Sequence, residues 1–176
     1  MALIRPWGGT SPRLDDSVWV AENAVVVGDV EVGPESSIWF GCVVRGDVNH
    51  IRIGARTNVQ DATVIHVTSR THPTRVGDDV TIGHRVTLHG CTVKDRCLIG
   101  IGALVMDGAV VGEDAMVGAG SLVPPGMVVP PRMLALGAPA RLKRELTQEE
   151  VDFLRKSAAS YAGYASQYRR EGWAAR

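Results

Sequence analysis

Pairs of short or apolar side chains recur along this chain with a period of six. The first position of each hexad is Val18, Ala24, Val30, Ser36 and Cys42, then Ile51, Thr57 and Thr63, then Thr74, Val80 and Val86. A last run continues through Cys91, Cys97, Ala103, Ala109, Ala115, Ser121, Met127 and Met133. Two residues after each stands an apolar one: Val20, Val26, Val32, Ile38, Val44, Ile53, Val59, Ile65, Val76, Ile82, Leu88, Val93, Ile99, Val105, Val111, Val117, Val123, Val129 and Ala135. In extended chain these two positions point to one face, and a glycine or polar residue often follows, as at Gly33, Gly54, Gly77, Gly83, Gly100, Gly112 and Gly118. Each hexad predicts a short strand and a corner, and the series predicts an all-β solenoid. A sandwich of short strands would instead need hairpin turns at irregular spacing.

The hexapeptide form resembles the left-handed parallel β-helix, in which three hexads make one triangular coil. The handedness comes from that resemblance, since most parallel crossovers are right-handed. On this basis the chain predicts about six coils. The register breaks three times: three extra residues between Cys42 and Ile51, five between Thr63 and Thr74, and one missing between Val86 and Cys91. Insertions in a solenoid project as loops from one side, so Arg45–His50 and Val67–Pro73 are expected to be loops. After Ala135 the pattern stops and Gly137-Ala138-Pro139-Ala140 reads as a turn out of the stack. Thr147 with Glu150 three residues on predicts a capping box. Val151, Leu154, Ala158, Tyr161, Ala165 and Tyr168 then recur at helical spacing. The expected organisation is a solenoid domain over 1–140 and a turn and α-helix over 141–176, packed on the solenoid or on a neighbouring subunit. Trp7-Gly8-Gly9 and Leu14 are expected to cap the first coil.

Composition narrows the function. Nineteen basic residues against nineteen acidic ones leave no electrostatic footprint for nucleic acid or anionic lipid. No apolar run has membrane-spanning length, and Met1–Thr10 lacks a signal-peptide pattern. The expectation is a soluble cytoplasmic protein with a small-molecule substrate or another protein chain as partner. Cys42, Cys91 and Cys97 have no zinc-finger spacing; all three take inward positions and read as small core thiols.

Candidate chemistry concentrates at the breaks. His66 and His89 both occupy the fourth position of their hexads, one coil apart, so their imidazoles stack across about 4.8 Å and can share one metal. Arg45 takes the same position one coil earlier. His84 falls at the preceding corner of the triangle, beside Gln60 and Asp61 one coil before it. Five extended residues span up to roughly 17 Å, which places His84 out of reach of a metal on His89. It needs another subunit, and a rotational trimer brings the two edges together three times over. Three neutral imidazoles with a fourth position open form the ligand set of a catalytic zinc-type centre, though Fe2+ or Co2+ also suits it.

The segments Val44-Arg45-Gly46-Asp47, Thr57-Asn58-Val59-Gln60-Asp61, Ile65-His66 and Val80 to Cys91 with His84 and His89 resemble the γ-carbonic anhydrase family of hexapeptide-repeat proteins. The resemblance covers nearly the whole chain. It implies a homotrimer holding Zn2+ at its interfaces, bound by His66 and His89 of one chain and His84 of the next. It implies interface ion pairs from Arg45, Asp47 and Asp61, a Gln60 that hydrogen-bonds the metal-bound water, Asn58 nearby, and a helix tyrosine at Tyr161 that reaches the site. The implied reaction is reversible hydration of carbon dioxide to bicarbonate.

The chain departs from the archetype at proton transfer. Val48 stands where the best-studied branch has a glutamate, and the loop Val67–Pro73 lacks an acidic shuttle. His72 could relay protons instead. Two other functions fit the hexapeptide pattern: an acyl-CoA-dependent acyltransferase or thioesterase, and a metal-binding structural trimer with little turnover.

Overall fold

A computed structural model describes residues 2–173. The ends of both predicted segments, Met1 and residues 174–176, lie outside the described residues. The chain winds as a left-handed parallel β-helix of about seven turns closed by a C-terminal helix. This is one turn more than the hexads predict. The difference lies before Val18, where the strands Leu3–Arg5 and Arg13–Leu14 pair in parallel with Val25–Val32, so the segment expected as a cap contributes strands of its own.

Three faces make the triangle. One carries Val64–His66, Thr87–His89, Leu104–Val105 and Leu122–Val123, stacked in register. The next carries Thr74–Val76, Thr92–Val93, Val110–Val111 and Val128–Val129. The third runs from Trp19–Val20 through Ser37–Ile38, Asn58–Val59, Thr81–Ile82, Leu98–Ile99 and Met116–Val117 to Met133–Gly137. All nineteen apolar third positions are buried, from Val20 to Ala135, and they form one continuous core. Short inward side chains let three faces converge on a narrow axis, and the chain's low aromatic content of 5% follows from that space.

The coils lengthened by insertions carry hydroxyls inside. Thr57 Oγ1 donates to the Gly77 carbonyl at 2.8 Å, Thr63 Oγ1 to Gly83 at 2.9 Å and Thr74 Oγ1 to His66 at 2.6 Å. Thr57 and Thr63 also accept from the Val80 and Val86 amides at 3.0 and 3.1 Å, so their hydroxyls bridge corners that elsewhere close by a direct backbone bond, as from the Ala103 amide to the Gly100 carbonyl.

The first break is not a loop. Arg45–His50 lies within one long strand, Val43–Ile53, that turns the corner while pairing with Val25–Val32. Glycine permits this: a Cβ on Gly46 would meet the Asp29 carbonyl at 2.6 Å, so the two backbones lie close enough for the ladder to continue. The second break is a loop as expected, pinned by a bridge between Thr68 and His72. The third is a tight corner at Gly90, with φ at +58°.

Past the Gly137–Ala140 turn the chain forms an extra strand, Ala140–Glu145, antiparallel to Met133–Gly137. The sequence pattern gave no alternation to announce it, because all of its residues but Ala140 are exposed. The helix Gln148–Arg170 follows with its capping box present. It packs on its own solenoid, burying Val151 and Leu154 against Leu98, Met116 and Leu134, and Ala165 against Trp19 and Trp39.

Candidate metal centre

The parallel ladder pairs His66 directly with His89. Their rings tilt toward each other with centroids 5.2 Å apart, and His66 Nδ1 faces His89 Nε2 at 3.2 Å. Each ring holds a carboxylate on its other nitrogen. His66 Nε2 lies 3.0 Å from Asp47 Oδ1, and His89 Nδ1 lies 2.6 Å from Asp107 Oδ1. A carboxylate accepts, so the ring nitrogen facing it carries the proton. In neutral rings the two nitrogens that face each other then both present lone pairs.

Arg45 joins the same edge and is bonded to Asp47. Partial burial works to raise the Asp47 carboxyl, but hydrogen bonds from His66 and Arg45 outweigh it and hold the group below the usual carboxylate range. Asp107 is held low in the same way, by Thr68 and His89 against the effect of burial. Both carboxylates are thus ionised acceptors at neutral pH.

His84 lies elsewhere, in the turn after Thr81–Ile82. Its Nδ1 is 2.8 Å from Asp61 Oδ2, and the Arg85 amide donates to the Asp61 carbonyl at 2.9 Å. The His84 side chain is 41% exposed against 18% for His66. Asp61 and His84 line a cleft with Trp39, Phe40 and Tyr161. Tyr161 stacks edge-on against Trp39 at 5.5 Å; burial, and then the charge of Asp61, push its hydroxyl pKa up.

Gln60 is buried beside Asp61. Its Nε2 donates to Asn58 Oδ1 at 3.1 Å, Asn58 Nδ2 donates to Thr81 Oγ1 at 3.1 Å, and Thr81 Oγ1 donates to Ser157 Oγ on the helix at 3.1 Å. With its nitrogen engaged, Gln60 keeps Oε1 as its available acceptor.

The expected site residues therefore fall into two separate groups. One holds Arg45, Asp47, His66 and His89; the other holds Asn58, Gln60, Asp61, His84 and Tyr161. Among the described residues no three His, Cys, Asp or Glu side chains gather into one ligand set. The pair itself fits a metal, since two ligands on one tetrahedral zinc-type ion are about 3.3 Å apart. Carboxylates behind ligating imidazoles are also the usual support for such a centre. The sequence reading missed Asp107, whose one signal is its separation of eighteen residues from His89. His72 is partly exposed, with Nδ1 2.9 Å from Thr71 Oγ1. Cys42, Cys91 and Cys97 are buried and their thiols are pushed up to about 12 by burial, which makes them inert core residues.

A triangular parallel solenoid with outward histidines braced by carboxylates defines a hexapeptide-repeat protein with a metal-ready edge. The family model described as bacterial transferase hexapeptide (six repeats) matches residues 90–125. A carbonic anhydrase from Geobacillus kaustophilus is 42% identical over 95% of this chain and 91% of its own length. The mitochondrial γ-carbonic anhydrase 1 of Arabidopsis thaliana is 46% identical over 92% of the chain, which spans 60% of that protein's length. Among solved structures, a hexapeptide transferase family protein from Anaplasma phagocytophilum is 42% identical with a TM-score of 0.91, covering 94% of this chain and 98% of its own. The chain belongs to the γ-carbonic anhydrase-like family of hexapeptide-repeat proteins.

Proposed function

We propose that the protein is a metal-dependent carbonic anhydrase-like lyase whose centre is completed between subunits of a homotrimer. His66 and His89 of one chain and His84 of the next hold the cation, with zinc, Fe2+ or Co2+ as suitable occupants. The observation that carries this reading is the approach of His66 Nδ1 and His89 Nε2 to 3.2 Å, with a carboxylate on the other nitrogen of each ring. Two unprotonated ring nitrogens at this distance repel each other, and a metal cation between them relieves the repulsion. The family relationship supports carbon dioxide and bicarbonate as the substrate pair.

When bound, the cation supplies Lewis acidity that brings the ionisation of water to about pH 7. The remaining work falls to the chain. Gln60 Oε1 accepts a hydrogen bond from the nucleophilic water and aims its lone pair at the carbon of carbon dioxide. Asn58 holds Gln60 in that orientation through its Oδ1. Tyr161, from the same group as His84, narrows the approach to a small linear substrate. Arg45 and Asp61 set the charge at the two edges that meet. Addition of water to carbon dioxide gives bicarbonate and one proton, and His72 is the group in the adjoining loop able to carry that proton to solvent.

Transferase names among the family model and the solved relatives favour a second reading, acyl transfer from coenzyme A. Metal content and carbon dioxide hydration, measured on the wild type and on His84→Ala, separate the two. The proposal expects bound metal and hydration in the wild type and loss of both in the variant. Metal-free wild type that turns over acyl-CoA contradicts it. Metal-loaded protein without hydration points to a structural trimer.

A further inference from the structure

We propose that Asp107 is a positioning residue that sets the tautomer and aim of His89, and that Thr68 locks it in place. This rests on the reading of the His66/His89 edge as a metal site. Asp107 uses both carboxylate oxygens: Oδ1 accepts from His89 Nδ1 at 2.6 Å, and Oδ2 accepts from Thr68 Oγ1 at 2.7 Å. A carboxylate held at both ends cannot rotate. Thr68 is itself fixed at its other polar atoms, its amide donating to the His72 carbonyl at 2.9 Å and its carbonyl accepting from Asn49 Nδ2 at 3.0 Å. The loop of the second register break thus reaches the ligand pair through one side chain.

The third break provides the room. A Cβ on Gly90 would lie 2.5 Å from Asp107 Oδ1 and 2.7 Å from the Cβ of His72. The carboxylate occupies the space that a side chain at the shortened corner would take. The missing residue between Val86 and Cys91 and the glycine at this corner therefore serve one arrangement, with Asp107 stacked over Gly90 and leaning back onto His89.

The chemistry explains why the arrangement is needed. His66 Nδ1 and His89 Nε2 are within hydrogen-bond distance. Without an acceptor on Nδ1, His89 can move its proton to Nε2 and donate it to His66, and the two rings then satisfy each other instead of a cation. Asp107 keeps that proton on the far side of the ring. Asp47 does the same for His66.

The test uses the assembled protein in metal-free form, with zinc as the probe. Imidazole 15N shifts report the His89 tautomer, and competition with a chromogenic chelator reports zinc affinity, for the wild type, Asp107→Ala, Asp107→Asn and Thr68→Val. We expect Nδ1–H in the wild type. In Asp107→Ala the proton moves to Nε2 and zinc affinity falls about 10- to 100-fold. Asp107→Asn keeps an acceptor oxygen and restores the tautomer and most of the affinity, while Thr68→Val lies between. Wild-type tautomer and affinity in Asp107→Ala overturn the proposal. If that variant does not assemble, unchanged values in Thr68→Val overturn the lock and reduced ones uphold it. Wild type that shows the Asp107-dependent tautomer but binds no zinc overturns the metal reading and upholds the positioning of His89.

Discussion

Gln60 has one amide end committed and one free, and Asn58 decides which. Replacing Asn58 with Ala releases the Gln60 nitrogen and lets the amide rotate. Hydration of carbon dioxide should then fall about 10- to 100-fold, the scale of losing an outer partner that orients a group at a metal site, with metal content unchanged. Stopped-flow hydration beside metal analysis checks both. The stacking of His66 on His89 was legible because solenoid spacing converts a residue count into a position in space. Asp107 was not, since a single acid at a corner position reads as solvated surface, and only its separation from His89 ties it to the site. The bonds of Asp47 and Asp107 to the imidazoles within one chain also lay beyond the pattern, because they depend on how the strand turns at Gly46 and Gly90.

At the scale of elements, the hexads carried nearly all the information. Inward positions need small or branched apolar side chains at a strict period, and any other register would expose them. The antiparallel strand Ala140–Glu145 escaped notice because it buries only its first residue and so shows no alternation. The helix was legible from its cap. Thr147 accepts from the Glu150 amide at 3.2 Å, and Glu150 returns a bond to the Thr147 amide at 2.9 Å while bridging to Arg144. Thr147→Ala should cost about 1 kcal/mol in chemical denaturation. Arg144 first, then the Thr147 amide, lowers the Glu150 carboxyl from its ordinary 4.5 to about 2. Its contribution to stability is therefore full above about pH 4.5 and lost as the pH falls through about 2. Glu150→Gln should flatten the acid side of the denaturation profile over that window, as followed by circular dichroism.

In the whole molecule, the two groups lie on different corners of one triangle, with His66 and His89 braced on one and His84 beside Asp61 on the other. Among the described residues neither group holds three ligands, and the proposed activity belongs to an assembly. Here the sequence was informative in an unusual way: counting hexads separated His84 from the other two before any coordinates did, because a solenoid forbids distant corners from meeting within one chain. The proton's exit was less legible. It depends on the placement of His72 and the loop around it, which no periodic pattern encodes.

Mixed assembly tests this division most directly. His66→Ala and His84→Ala chains are co-expressed, trimers containing both are purified by differential tags, and bound metal is counted. The rotational arrangement predicts none in either homotrimer and about one intact site in every mixed trimer, whichever chain is in the majority. Mixed trimers as empty as the two parents would contradict a centre shared between subunits.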